Sequence, residues 1–190
     1  MGGFLLPYLL GSTRALLFCG GARVVLALLG MLVVRPVGAD NWARWRGPQG
    51  SAVSVEAGIP LKWDQGRNIR WKTAIPGEGS SSPIVWNDRV FLTSAEDEGC
   101  VRWLHCLDLL SGRIVWSAEV EHDWPELTSA LTGHAAATPT TDGQRVFTWF
   151  GNAGLICHDF SGRQIWHLDL GAFESELGLA SSPVLVDERL

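Results

Sequence analysis

The sequence predicts an all-β fold, and three observations carry that expectation. All ten tryptophans lie after residue 40, whereas lysine is rare and methionine occurs twice. That balance suits packed sheets rather than exposed helices. A pattern of short strands and polar turns recurs with a spacing of about 50 residues. No helical periodicity of comparable length competes with it after residue 40.

Charge is unevenly distributed. Residues 1–39 hold three arginines, Arg14, Arg23 and Arg35, and no acidic residue. The remaining 151 residues hold 12 basic and 20 acidic side chains, a formal charge of −8. Phosphate binding needs a basic face, so nucleic acid is excluded as a favoured partner.

The N-terminus reads as a targeting segment. Arg23 precedes the apolar run Val24 to Val34, and Val37-Gly38-Ala39 offers a small-x-small exit before Asp40. These are the parts of a secretory signal peptide. The rival is an uncleaved anchor over residues 15–34. Arg23 would then cost ~2.5–3.5 kcal/mol near the middle of the span. Cys19 lacks the small residue expected before a lipidated cysteine. Export permits disulfides among Cys100, Cys106 and Cys157. Sharing one strand would separate Cys100 from Cys106 by ~20 Å, well beyond the ~7 Å a bridge allows. Cys106 and Cys157 are expected as small core side chains.

The repeat itself is explicit. Ser81-Ser82-Pro83-Ile84-Val85 matches Ala137-Thr138-Pro139-Thr140-Thr141 and Ser181-Ser182-Pro183-Val184-Leu185. A polar turn follows each, at Asn87-Asp88, Asp142-Gly143-Gln144 and Asp187-Glu188. Next come Arg89-Val90-Phe91, Arg145-Val146-Phe147 and Arg189-Leu190. The second half recurs too. Leu104-His105-Cys106-Leu107-Asp108 leads to Ser111-Gly112-Arg113-Ile114-Val115-Trp116. Leu155-Ile156-Cys157-His158-Asp159 leads to Ser161-Gly162-Arg163-Gln164-Ile165-Trp166, one residue shorter between Asp and Gly.

Each unit divides into four strand stretches, in the first copy 83–86, 89–94, 101–108 and 113–120. Short polar turns make neighbours antiparallel. Four antiparallel strands every ~40–50 residues is the period of a propeller blade. The expected fold is therefore a partial β-propeller of about two and a half blades, preceded by an N-terminal hydrophobic helix. Residues 1–39 form the signal peptide or anchor, 40–70 a lead-in, and 71–190 the blades. Leu190 falls where a strand begins, so the sequence reads as truncated, and a partial array with open edges is expected to aggregate or be degraded.

The motif Asp108-x-x-Ser111-Gly112-x-x-x-Trp116 resembles the repeat of PQQ-like (pyrrolo-quinoline quinone repeat) β-propellers. Asn41-Trp42-Ala43-Arg44-Trp45-Arg46-Gly47-Pro48 and Asn68-Ile69-Arg70-Trp71-Lys72-Thr73 are similar to the openings of exported members. The resemblance implies that Asp108, Gly112, Trp116, Asp159, Gly162 and Trp166 dock neighbouring blades. It extends to quinoprotein dehydrogenases, which use PQQ and calcium, and to the non-catalytic outer-membrane assembly factor BamB. The adjacent Cys-Cys pair and calcium ligands of the dehydrogenases find no match here. Hence no cofactor, catalytic residue or metal ligand is expected.

No nucleophile elbow, phosphate loop or metalloprotease motif occurs. Histidines 105, 122, 134, 158 and 167 show no ligand spacing and are expected to be satisfied or exposed. In a four-stranded antiparallel blade, the second-to-third-strand loop and the connection to the next blade emerge on one side. That side carries Glu96, Asp97, Glu98, Glu119, Glu121, Asp123, Glu126, Asp169, Glu174 and Glu176, with Trp124 among them. Variable loops on a rigid scaffold commonly bind. Glu96, Asp97, Glu98, Glu121, Asp123 and Trp124 are therefore the candidate face for a basic protein partner or a small cationic ligand. The expected function is that of an exported, periplasmic or extracellular, non-catalytic scaffold. The alternatives are a piece of a PQQ-dependent dehydrogenase, or a propeller joined to a separate catalytic domain.

Overall fold

A computed structural model describes residues 40–129, 132–175, 177–187 and 189–190. The signal or anchor reading of residues 1–39 and the placement of Glu176 lie outside the described residues. No helix among the described residues is long and apolar enough to cross a membrane.

Eight strands form two antiparallel sheets in sequence order. The first contains β1 (Ile84–Trp86), β2 (Arg89–Glu96), β3 (Val101–Asp108) and β4 (Ile114–Glu121). The second contains β5 (Thr140–Thr141), β6 (Arg145–Trp149), β7 (Leu155–Asp159) and β8 (Gln164–Leu168). β2 runs two residues past its expected end because Ala95 and Glu96 pair with Arg102 and Val101. In the third copy, Val186 and Arg189 exchange backbone hydrogen bonds of 2.8 and 3.0 Å.

Register aligns the repeats across each sheet. Ile84, Phe91, Cys106 and Trp116 form one cross-strand row, and Thr140, Phe147, Cys157 and Trp166 form its counterpart. Residues opposite one another share a face, so each row builds one packing surface. Ile84, Phe91, Leu104 and Cys106 close on Val146 of the second sheet, with Trp116, Ala118 and Phe160 packed around them. A second cluster joins Val120 of the first sheet to Phe150, Ala153 and Ile156. Both Cys106 and Cys157 are buried free thiols. Burial pushes the Cys106 thiol up to about 12.

The glycine turns seat indoles. Trp116 Nε1 donates to the Phe160 carbonyl at 2.9 Å, and a Cβ added at Gly162 would lie 2.8 Å from Trp116 Cδ2. The same arrangement appears one repeat earlier. Trp71 Nε1 donates to the Leu109 carbonyl at 2.9 Å, and a Cβ at Gly112 would collide with the Trp71 ring. Gly112 and Gly162 adopt φ of +71° and +89°, which glycine tolerates without a Cβ penalty. Trp166 is placed differently. It packs on Phe147 at 5.9 Å and lines a cavity of about 400 Å³ with Arg145, Leu185 and Leu190.

An aspartate braces each glycine turn. Asp108 accepts from the Ser111 amide at 2.7 Å and its hydroxyl at 2.6 Å. Asp159 accepts from the Ser161 amide and hydroxyl and from the Arg163 amide and guanidinium. The missing residue in the second copy shortens the turn without abolishing it. Gly112 N donates to the Asp108 carbonyl, four residues back, whereas Gly162 N reaches the Asp159 carbonyl, three back. The Ser161 hydroxyl, with the other donors, holds the Asp159 carboxyl at a pKa of about 2, below the ordinary 3.8. That support is present above the ordinary value and is lost as pH falls through about 2.

A further repeat-to-repeat link runs through the residue before each proline. Ser82 N donates to Thr138 Oγ1 at 3.0 Å, and Thr138 N donates to Ser182 Oγ at 3.0 Å. The lead-in joins this inner edge. Trp42 bridges Val85 in both directions, and the Ala43 carbonyl accepts from Thr141 N at 2.9 Å.

The two matched tryptophans should therefore respond unequally to truncation. Trp116→Ala is expected to cost about 3–5 kcal/mol, the range for a large aromatic removed from a packed site. Trp166→Ala should cost less than half of that, because no glycine turn closes over it among the described residues. Urea unfolding of both variants beside the parent checks the order.

Candidate functional site

The connections beyond β2 and β4 meet on one side of the first sheet. A 310 turn over Asp97–Gly99 joins β2 to β3. His122 N, just past β4, donates to the Cys100 carbonyl at 2.9 Å, which ties the two connections together. Glu78 and Ala95 exchange backbone bonds of 2.8 and 2.7 Å on the same side. Together these segments enclose an open groove of about 460 Å³ lined by Gly77–Ser80, Ala95–Gly99 and Thr132–His134.

Four carboxylates border this groove: Glu78, Glu96, Asp97 and Glu98. Glu96, Asp97 and Glu98 are exposed. Asp97 and Glu98 hold φ of 48° and 51°, a left-handed backbone that non-glycine residues seldom adopt. The turn thus projects consecutive acidic side chains into solvent. Glu96 is steadied by Trp103 Nε1, which donates to its carboxylate at 3.0 Å. His134 forms the opposite wall, with Gly99 lying against its ring. Burial, followed by the Arg102 charge, pulls the His134 pKa below 6.5.

Glu119, Glu121 and Asp123 are exposed beside this groove, and Asp169 and Glu174 are exposed on the following connection. Trp124 is 81% exposed and Leu127 is 76% exposed. Both apolar side chains therefore stand in water, Trp124 one residue past the exposed Asp123.

Glu126 corrects the expectation of a surface acid. It is 6% exposed, and its carboxylate is paired with Arg102, itself 0% exposed. Arg102 Nη2 lies 2.8 Å from Glu126 Oε2, and Nη1 lies 3.2 Å from Oε1. Arg102 also donates to the Gly99 and Phe150 carbonyls, while Asn152 N donates to Glu126 at 3.2 Å. Burial pushes the Glu126 carboxyl up, but the Arg102 hydrogen bond and charge outweigh it and hold the group ionised below its ordinary range. The ion pair clamps the β4–β5 connection to both sheets at once. A signal for it existed in the strand alternation. Arg102 stands two residues before Leu104 and four before Cys106, a core-facing position where only a paired charge is tolerated.

The remaining histidines divide between buried and peripheral roles. His105 is buried with both ring nitrogens bonded, to Ser94 and Ser117 at 2.8 Å each. His167 bonds the Ala153 carbonyl at 2.7 Å. Among the described residues, no three His, Cys, Asp or Glu side chains gather closely enough to hold a metal ion.

A family model described as outer membrane protein assembly factor BamB matches residues 52–190. The chain belongs to this family of PQQ-like repeat proteins. No curated protein matches it. As a PQQ-like repeat protein, it carries its repeat motif in the strands and glycine turns. The acidic groove instead lies on the connections between them.

Breaking the clamp is expected to loosen the acidic face. Glu126→Gln leaves Arg102 buried without its counter-charge and should destabilise the fold by about 3–5 kcal/mol. Urea unfolding measures the loss. Replacing both residues by leucine should restore more than half of it.

Proposed function

We propose that this chain forms two and a half blades of an exported β-propeller that acts as a non-catalytic binding scaffold. Its partner is a basic protein segment received on the acidic loop face. In this reading residues 1–39 direct export to the periplasm or beyond, residues 40–70 lead in, and residues 71–190 build the blades. Asp108, Gly112, Trp116, Asp159, Gly162 and Trp166 serve blade docking rather than chemistry.

The observation that carries the proposal is the combination on one side of the first sheet. Exposed carboxylates and the exposed Trp124 sit on connections that a buried ion pair fixes to both sheets. Fixed loops lose little freedom on binding, so contacts made there are converted into affinity. Complementary charge speeds encounter and selects partners, while an indole supplies an anchor of the kind enriched at interface hot spots. The family match supports a role in protein–protein interaction.

A labelled Lys/Arg-rich peptide tests this. Binding is expected to weaken at least tenfold when Glu96, Asp97, Glu98 and Glu121 are changed to lysine, and also when Trp124 is changed to alanine. Binding by the parent should fall steeply as salt is raised. Unchanged affinity of the lysine variant at low salt removes the proposal. Adding PQQ and calcium should yield no bound-quinone absorbance. A stoichiometric quinone band would favour the dehydrogenase reading instead.

A further inference from the structure

Buried histidines in this fold are not equally served by their surroundings. Both ring nitrogens of His105 have hydroxyl partners. His158 is 1% exposed, and its Nδ1 is buried with no hydrogen-bond partner. It stands directly opposite Val146 across the β6–β7 ladder, so the two side chains leave the same face of the sheet. Val146 belongs to the cluster formed with Ile84, Phe91, Leu104 and Cys106 of the first sheet. His158 therefore lies on the face of the second sheet that packs against the first.

The repeat gives this position its meaning. One residue past the cysteine, the first copy has Leu107, which is 2% exposed. The second copy has His158 at that place. A titratable ring occupies a seat that its sister repeat fills with an apolar side chain. An orphaned polar atom in such a place costs stability even when neutral, and a charge there costs more.

We propose that His158 makes the packing of the second sheet on the first acid-sensitive: a proton gained there places an unpartnered charge in the seam and loosens the two sheets from each other.

The surrounding groups do little to rescue that charge. Burial is the largest influence and pulls the His158 pKa below 6.5; Asp159 pushes it up and His167 pulls it down. Asp159 is the next residue along β7 and so points to the opposite face, where its carboxylate is engaged by Ser161 and Arg163. His167 of β8 adds positive charge when protonated. In the cluster that Val146 joins, the titratable member is Cys106, whose raised pKa of about 12 leaves it a neutral thiol. β5 contributes Thr140 and Thr141, which carry no charge.

The sign follows from linkage. The folded pKa of His158 is depressed, so the unfolded chain takes up the proton first. Stability is whole above 6.5 and is lost as pH falls below that value toward the folded pKa.

The test compares the 190-residue chain with His158→Leu, the residue of the matching position, by urea unfolding between pH 7.5 and 5. His105 and His134 remain in both proteins, so the difference isolates His158. The unfolding constant of the parent, relative to that of H158L, should rise about tenfold for each pH unit below 6.5 until the folded pKa is reached. Identical pH dependence in the two proteins overturns the proposal. An NMR titration of the parent's imidazole signals, assigned with H158Q, provides a reading that does not rely on H158L folding. The His158 ring should reach half-protonation only below pH 6.5. Half-protonation at or above pH 6.5 overturns the proposal.

Discussion

The structure depends on an indole lying over a glycine turn of the next repeat. Trp71 rests on the turn at Gly112, and Trp116 rests on the turn at Gly162, with each Nε1 donating to the carbonyl one residue past the turn aspartate. The contact needs three things together. The glycine must lack a Cβ, the carbonyl must face the ring, and the aspartate must hold the turn. An indole buries roughly 150–250 Å² in such a site, worth several kcal/mol at ~25 cal/mol per Å². A four-stranded sheet of short strands has little core of its own. Stacking against its neighbour supplies the rest.

The loop side inherits its order from this stacking. The two sheets sit close enough for Arg102 of β3 to reach both Glu126 and the Phe150 carbonyl. That reach turns a connection between repeats into a fixed surface. The inner edge is joined by a lighter device, the amide-to-hydroxyl link from Ser82 to Thr138 and from Thr138 to Ser182. Aromatic docking, a buried ion pair and a hydroxyl relay thus bind the same two repeats at three different places.

Much of this was legible in the sequence, because a repeat reports the same constraint more than once. The strand order, the antiparallel pairing and the braced glycine turns followed from matched residues such as Asp108 with Asp159 and Gly112 with Gly162. The docking position of Trp71 was harder to read, since it precedes the first complete set of four strands and follows the Asp64-Gln65-Gly66 turn by five residues, where Trp116 and Trp166 follow their glycines by four. Glu126 was misplaced for a different reason. Counting charges along a connection treats every acid as solvated, and only the strand alternation around Arg102 reveals that a buried cation needs a partner. The significance of His158 required register as well as sequence, because the seam it enters is defined by Val146 on the adjacent strand. Turn length was forgiving: losing one residue before Gly162 changed the hydrogen-bond span but kept the indole's seat.

The most direct measurement is a double-mutant cycle between Trp116→Ala and Gly162→Ala, read by urea unfolding. A methyl at position 162 meets the indole at 2.8 Å and also carries the backbone cost of φ +89°. The backbone cost persists when the ring is gone, whereas the collision does not. Gly162→Ala should therefore be less damaging in the Trp116→Ala background than in the parent, with a coupling of about 1 kcal/mol or more. Additivity within about 0.3–0.5 kcal/mol would mean that the indole and the turn do not act on each other, and the account of how these sheets hold together would fail.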